Sequence, residues 1–123
     1  MRFSQIGAAI LLAASVSAAA AHGPKLGPNG GQQADAGSLH VEVVSKGTNL
    51  VVFLRDQADK PVAAEGYKGT AIFVIGGKPQ RIPLAPAGEN MLSGTAAVAI
   101  PSTIKGAVQI TTPSGGTAQA KLN

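Results

Sequence analysis

Few side chains in this chain can hold a metal ion or move a proton. There are two histidines, His22 and His40, six side-chain carboxylates, and no cysteine. Without thiolates, disulfides, iron–sulfur clusters, thiolate zinc sites and cysteine nucleophiles are all excluded. Imidazole suits copper, zinc and nickel, and a carboxylate can complete the coordination. His40 and Glu42 stand two apart in an alternating segment, so they share one face of the strand expected there. His22 gains its interest from what precedes it. Cleavage after Ala19 would leave His22 third, where the new amine, two deprotonated amides and the imidazole form a square-planar Cu(II) or Ni(II) site. Cleavage after Ala21 would leave it first, where amine and imidazole chelate one ion together, and cleavage after Ala20 weakens both arrangements. His40 would then add a nitrogen, with Glu42 as an oxygen ligand or as the group orienting the imidazole. The candidate metal set is His22, His40 and Glu42, and the candidate ion is copper or zinc.

The same inventory argues against catalysis. A Ser-His-Asp mechanism would need His40 as base, and no Gly-x-Ser-x-Gly elbow accompanies it. The carboxylates form no acid/base pair, and Met91, next to Leu92 in an apolar run, reads as packing. Gly27-Pro28-Asn29-Gly30-Gly31 lacks the Gly-Lys-Ser/Thr of a phosphate loop and reads as a turn. No enzyme is expected. The formal charge of +4 comes from bases scattered singly among acids. Nucleic-acid binding needs basic residues gathered on one face, often with aromatic platforms, and Phe53, Tyr67 and Phe73 are the only aromatics after the leader.

The elements that must position these residues begin with an export signal. Arg2, an apolar run through Ile6, Ile10, Leu11, Leu12 and Val16, and small residues 17–21 make a secretory signal peptide over 1–21. The apolar run is shorter than the ~20 residues a membrane span requires, so no stable span remains after cleavage. A cysteine-free exported chain points to a periplasmic location. Residues 22–36, rich in Gly and Pro, form a flexible lead-in, since Pro fixes φ and removes a donor, and order begins near Gly37. Residues 38–44 then alternate, with Leu39, Val41 and Val43 on the apolar face. Further strands follow at 50–54, 69–75, 80–84, 91–98, 105–111 and 117–122, separated by Gly, Pro and Asn turns. Pro83 argues for an edge position in its strand. The fold class is all-β: an immunoglobulin-like β-sandwich of about seven short antiparallel strands over 37–123.

One resemblance is carried by His22-Gly-Pro, Gly27-Pro-Asn-Gly-Gly, Gly37-x-x-His40-x-Glu42-Val43, and Leu50-Val-Val-Phe-Leu-x-Asp56 with Pro61. Over roughly residues 23–71 the chain resembles the small β-domain of periplasmic adaptors in heavy-metal efflux systems and stand-alone exported relatives of that domain. The resemblance implies a β-module that meets metal in the periplasm, with efflux-system components as partners and His22, His40 and Glu42 as contacts. The chain has none of an adaptor's helical hairpin, lipoyl or barrel domains, nor a run of clustered histidines. The expected function is therefore a metal-handling or metal-resistance accessory. The alternative is a non-enzymatic structural or protein-interaction module of the periplasm.

Overall fold

The computed structural model describes residues 25–123. The signal peptide expected over 1–21, and His22, lie outside the described residues. Eight strands and no helix make up the described chain: β1 (Gln32–Ala36), β2 (Leu39–Lys46), β3 (Asn49–Arg55), β4 (Lys68–Ile75), β5 (Lys78–Pro86), β6 (Met91–Thr95), β7 (Lys105–Thr111) and β8 (Thr117–Leu122). All neighbours are antiparallel, in the order β1-β2-β3-β6-β5-β4-β7-β8.

The turns between hairpins follow their local chemistry. Gly76 and Gly77 both have positive φ, at 61° and 78°, which closes the two-residue β4–β5 turn in the twist that flanking strands favour. Alternation sets which face is buried. Val41 and Val43 of β2, Leu50, Val52 and Leu54 of β3, and Phe73 of β4 are fully or almost fully buried. Ile82 and Leu84 of β5, Leu92 of β6, Val108 and Ile110 of β7, and Ala120 and Leu122 of β8 complete the same core. Within each strand these positions are spaced two apart, as a pleated surface with one apolar face demands.

The architecture differs from the immunoglobulin-like sandwich expected from strand count. In that arrangement the second and third strands lie in opposite sheets, whereas here β2 and β3 form one hairpin and pair over seven residues each. The two ladders are also joined into one curved sheet. From Lys78 to Leu84, β5 pairs with β4, and at Ala85 and Pro86 it pairs with β6. Pro83 sits in the stretch where β5 has a ladder on one side alone, which its missing N–H requires. At this corner a Cβ on Gly94 would lie 2.2 Å from the Pro83 carbonyl oxygen, so only glycine lets β6 come so close. The sheet almost closes on itself. β1 lies against β8, and the Gln32 amide spans the gap by donating to the Ile104 carbonyl at 3.0 Å and accepting from the Ile104 N–H.

The second difference is where order starts. The stretch expected to be a flexible lead-in through residue 36 contains β1, paired with β2 from Gln32↔Val43 to Ala36↔Leu39. Ala34 and Ala36 face the core while Gln33 and Asp35 face outward. Alanines in place of branched residues hid the alternation. Residues 25–31 pack as a turn on the outer face of the sheet, held by a side chain from β2.

Candidate functional site

Glu42 is the side chain that holds that turn. It lies on the face of β2 opposite the core, where a carboxylate would ordinarily be solvated, yet it is fully buried. The chain from Leu26 to Gly31 covers it. Gly27 N–H donates to the Gly31 carbonyl at 2.8 Å, and Gly30 N–H to the Gly27 carbonyl at 3.0 Å. This tight turn aims its remaining donors at the carboxylate. Oε2 accepts from Asn29 N–H and Gly31 N–H, each at 2.8 Å. Oε1 accepts from the Asn29 side-chain amide at 3.0 Å and from Arg55 Nη1 at 3.1 Å. A Cβ on Gly27 would lie 2.4 Å from the Glu42 carboxyl carbon, so the turn can sit this low only with glycine there.

Arg55, at the end of β3, is buried as well. It pairs with Glu42, and its Nη2 donates to the Gln33 side-chain oxygen of β1. A buried charge must be paired and hydrogen-bonded to be tolerated, and the Glu42–Arg55 pair with four donors on the carboxylate meets that condition. Among the described residues, Arg55 Nε has no hydrogen-bond partner and faces Asp59 Oδ1 at 3.7 Å.

His40 occupies the same outer face, one step toward the β1–β2 turn. Register places Asp35 of β1 directly opposite it, and their side chains meet at 2.6 Å between Nδ1 and Oδ1. A carboxylate only accepts, so Nδ1 donates to Asp35, and Nε2 is the ring nitrogen left to meet a second partner. What Nε2 faces is Asp59, whose Oδ1 stands 3.8 Å away. Asp59 comes from the turn after β3. Asp56 Oδ1 accepts from the N–H groups of Ala58 and Lys60, and Asp59 N–H donates to the Asp56 carbonyl. Asp59 adopts φ of 63° there, a conformation Asp tolerates better than most residues. Its carboxylate is thus suspended between His40 Nε2 and Arg55 Nε, hydrogen-bonded to neither.

An ion at about 2.0–2.1 Å from a histidine nitrogen and about 2.0–2.2 Å from a carboxylate oxygen could bridge two atoms 3.8 Å apart. The pair supplies two ligands. Among the described residues, no group of three or more His, Cys, Asp or Glu is placed to hold a metal ion.

The sequence-derived set therefore divides. His22 lies outside the described residues. His40 and Glu42 share a face as expected, but their tasks differ: His40 Nε2 stands 3.8 Å from Asp59 without a hydrogen bond to it, and Glu42 has both oxygens engaged by Asn29, Gly31 and Arg55. Coordination through Glu42 would require displacing at least one of those donors. Asp35 and Asp59, which complete the surroundings of His40, were not singled out from sequence. Asp35 was legible in principle, since outward Gln33 and Asp35 alternate with inward Ala34 and Ala36. Asp59 was not, because its position depends on how a turn folds back over β2.

Next to this cluster runs a groove of about 490 Å³ lined by Lys25, Leu26, Pro28, Gln33, Arg55 and Asp59. Its wall at Lys25 is fixed, since the Lys25 carbonyl accepts from Gln33 N–H at 2.7 Å and Leu26 bridges to Gln32. No family model, curated protein or solved structure matches this chain. Among the described residues, no helix is long and apolar enough to cross a membrane.

Proposed function

We propose that this protein is an exported, non-enzymatic metal-binding accessory, acting in the periplasm and taking a copper- or zinc-type ion at His40 Nε2. The observation that carries the reading is the Asp35–His40 pair at 2.6 Å. A carboxylate on one ring nitrogen fixes the tautomer and raises the basicity of the other, one of the arrangements that orient metal-ligating histidines. Asp59 Oδ1, 3.8 Å from Nε2, is the oxygen nearest to serve as a second ligand.

His22 supplies the third donor in this reading. Lys25 is pinned beside β1, within the groove that Asp59 also lines. Glu42 then contributes by holding the turn over residues 25–31 rather than by touching the ion. The signal peptide expected from sequence, and the resemblance of residues 23–71 to the small β-domain of efflux adaptors, favour a role in metal resistance alongside efflux components, with no chemistry on a substrate.

The test is a Cu(II) and Zn(II) titration of the exported protein, its first residue fixed by mass spectrometry. His40→Ala is expected to weaken binding at least tenfold, the loss of one strong ligand, and Asp59→Asn to weaken it less. A protein lacking both His22 and His40 that binds metal as tightly as the parent refutes the reading.

A further inference from the structure

The turn that covers Glu42 contains the chain's one Asn-Gly pair, Asn29-Gly30, and we propose that Asn29 is a self-modifying site whose deamidation releases residues 25–31 from the sheet. The inference is independent of metal binding. Asn followed by Gly is the pair best suited to this chemistry, because no side chain on the following residue hinders attack by its nitrogen. The Gly30 backbone nitrogen, its proton taken by hydroxide, attacks Cγ of Asn29. A carbon–nitrogen bond forms, the Cγ–Nδ2 bond breaks, and the amide leaves as ammonia. Water then adds to the cyclic imide and opens it at either carbonyl, giving aspartate or isoaspartate. The net change is one water consumed and one ammonia released.

In the closed turn both the attacking and the leaving nitrogen of this reaction are held in hydrogen bonds. Gly30 N–H donates to the Gly27 carbonyl, and the Asn29 amide donates to Glu42 Oε1 at 3.0 Å. The main-chain N–H of Asn29 is held by Glu42 Oε2. Reaction therefore requires the turn to lift away, so its rate reads how often the turn opens. The product in turn hinders reclosure. Where an amide donated to Glu42, aspartate sets a second carboxylate oxygen about 3 Å from the first, in a buried place where like charges repel strongly. Isoaspartate adds a main-chain carbon to a turn that lies so close to Glu42 that even a Cβ on Gly27 would stand 2.4 Å from its carboxyl carbon. Neither product can re-form the four-donor arrangement, so opening once becomes opening for good.

The experiment incubates the full chain at mildly alkaline pH, native and in denaturing urea, and follows the tryptic peptide spanning 26–46 by mass spectrometry. Conversion at Asn29 is expected in both samples. It should be at least about tenfold slower in the native one, the protection that a single charge-assisted hydrogen bond confers. The aged native protein is then separated by ion exchange and, beside Asn29→Asp, exposed to brief trypsin. Both should be cut at Lys25 several times faster than the parent. Equal rates in urea and buffer, or no conversion at Asn29 in urea, would overturn the proposal. So would parent-like resistance at Lys25 in the aged fraction, a readout that stands even if Asn29→Asp fails to fold.

Discussion

Replacing Glu42 by glutamine keeps size and shape but removes the charge, and the outcome is set by where the donors lie. Each carboxylate oxygen accepts two hydrogen bonds: Asn29 Nδ2 and Arg55 Nη1 on Oε1, Asn29 N–H and Gly31 N–H on Oε2. A glutamine amide can place its oxygen at one position only, and its NH2 then points at two donors. Whichever way it turns, two buried donors lose their acceptor, and Arg55 loses its buried counter-charge. Stranding buried donors costs about 1–3 kcal/mol each, and breaking a buried ion pair from one side costs about 3–5 kcal/mol. These losses overlap, so we expect Glu42→Gln to destabilise the fold by about 4 kcal/mol, lowering Tm by roughly 15–30 °C for a domain of this size. Urea unfolding followed by circular dichroism measures it, with an unchanged dependence on urea showing that the same surface is exposed. The double variant Glu42→Gln with Arg55→Met isolates the coupling, expected to be well above that of a surface pair. A single-variant loss below about 1 kcal/mol, the range of an exposed ion pair, would mean that Glu42 is solvated and the turn is not clamped.

Asp35→Asn should weaken metal binding about 10–100-fold while leaving the fold intact, because it removes only the group that orients His40; an isothermal titration unchanged from the parent contradicts the role given to Asp35. Phe73→Ala, in the fully buried centre of β4, should cost about 3–5 kcal/mol in urea unfolding. Gly106→Ala should abolish the folded state as read by dispersed amide NMR signals. At φ of 143° an added Cβ would stand 2.1 Å from the Ile72 carbonyl oxygen, a clash with backbone that cannot swing aside across the β4–β7 ladder.

Much of the sheet was legible because one face of each strand is branched and apolar. The expected segments 105–111 and 117–122 coincide with β7 and β8, and β2, β3 and β4 differ from expectation by a residue or two at their ends. β1 was not legible. Its inward residues are Gln32, Ala34 and Ala36, none of them branched and apolar, and so they carry little hydrophobic signal. The connectivity was hidden for a different reason. Alternation sets faces but not neighbours, and the passage of β5 from one ladder to the other rests on local backbone approach at Gly94. At the site, the shared face of His40 and Glu42 came from period-two spacing alone. Their different fates depend on a turn earlier in the chain closing over one and leaving the other, which no local pattern encodes.

The narrow gap between β1 and β8 bears on how the chain could be rewired. Strand directions alternate around the whole order, so the start of β1 and the end of β8 lie at the same rim, beside the Gln32 bridge to Ile104. A linker could run from the end of β8 to Lys25, leaving the turn over Glu42 in place, and new termini could be opened between Gly76 and Gly77, where added side chains would meet nothing within 4 Å. A circular permutant made this way would keep every ladder, turning the first and last strands into neighbours along the backbone as they already are in space.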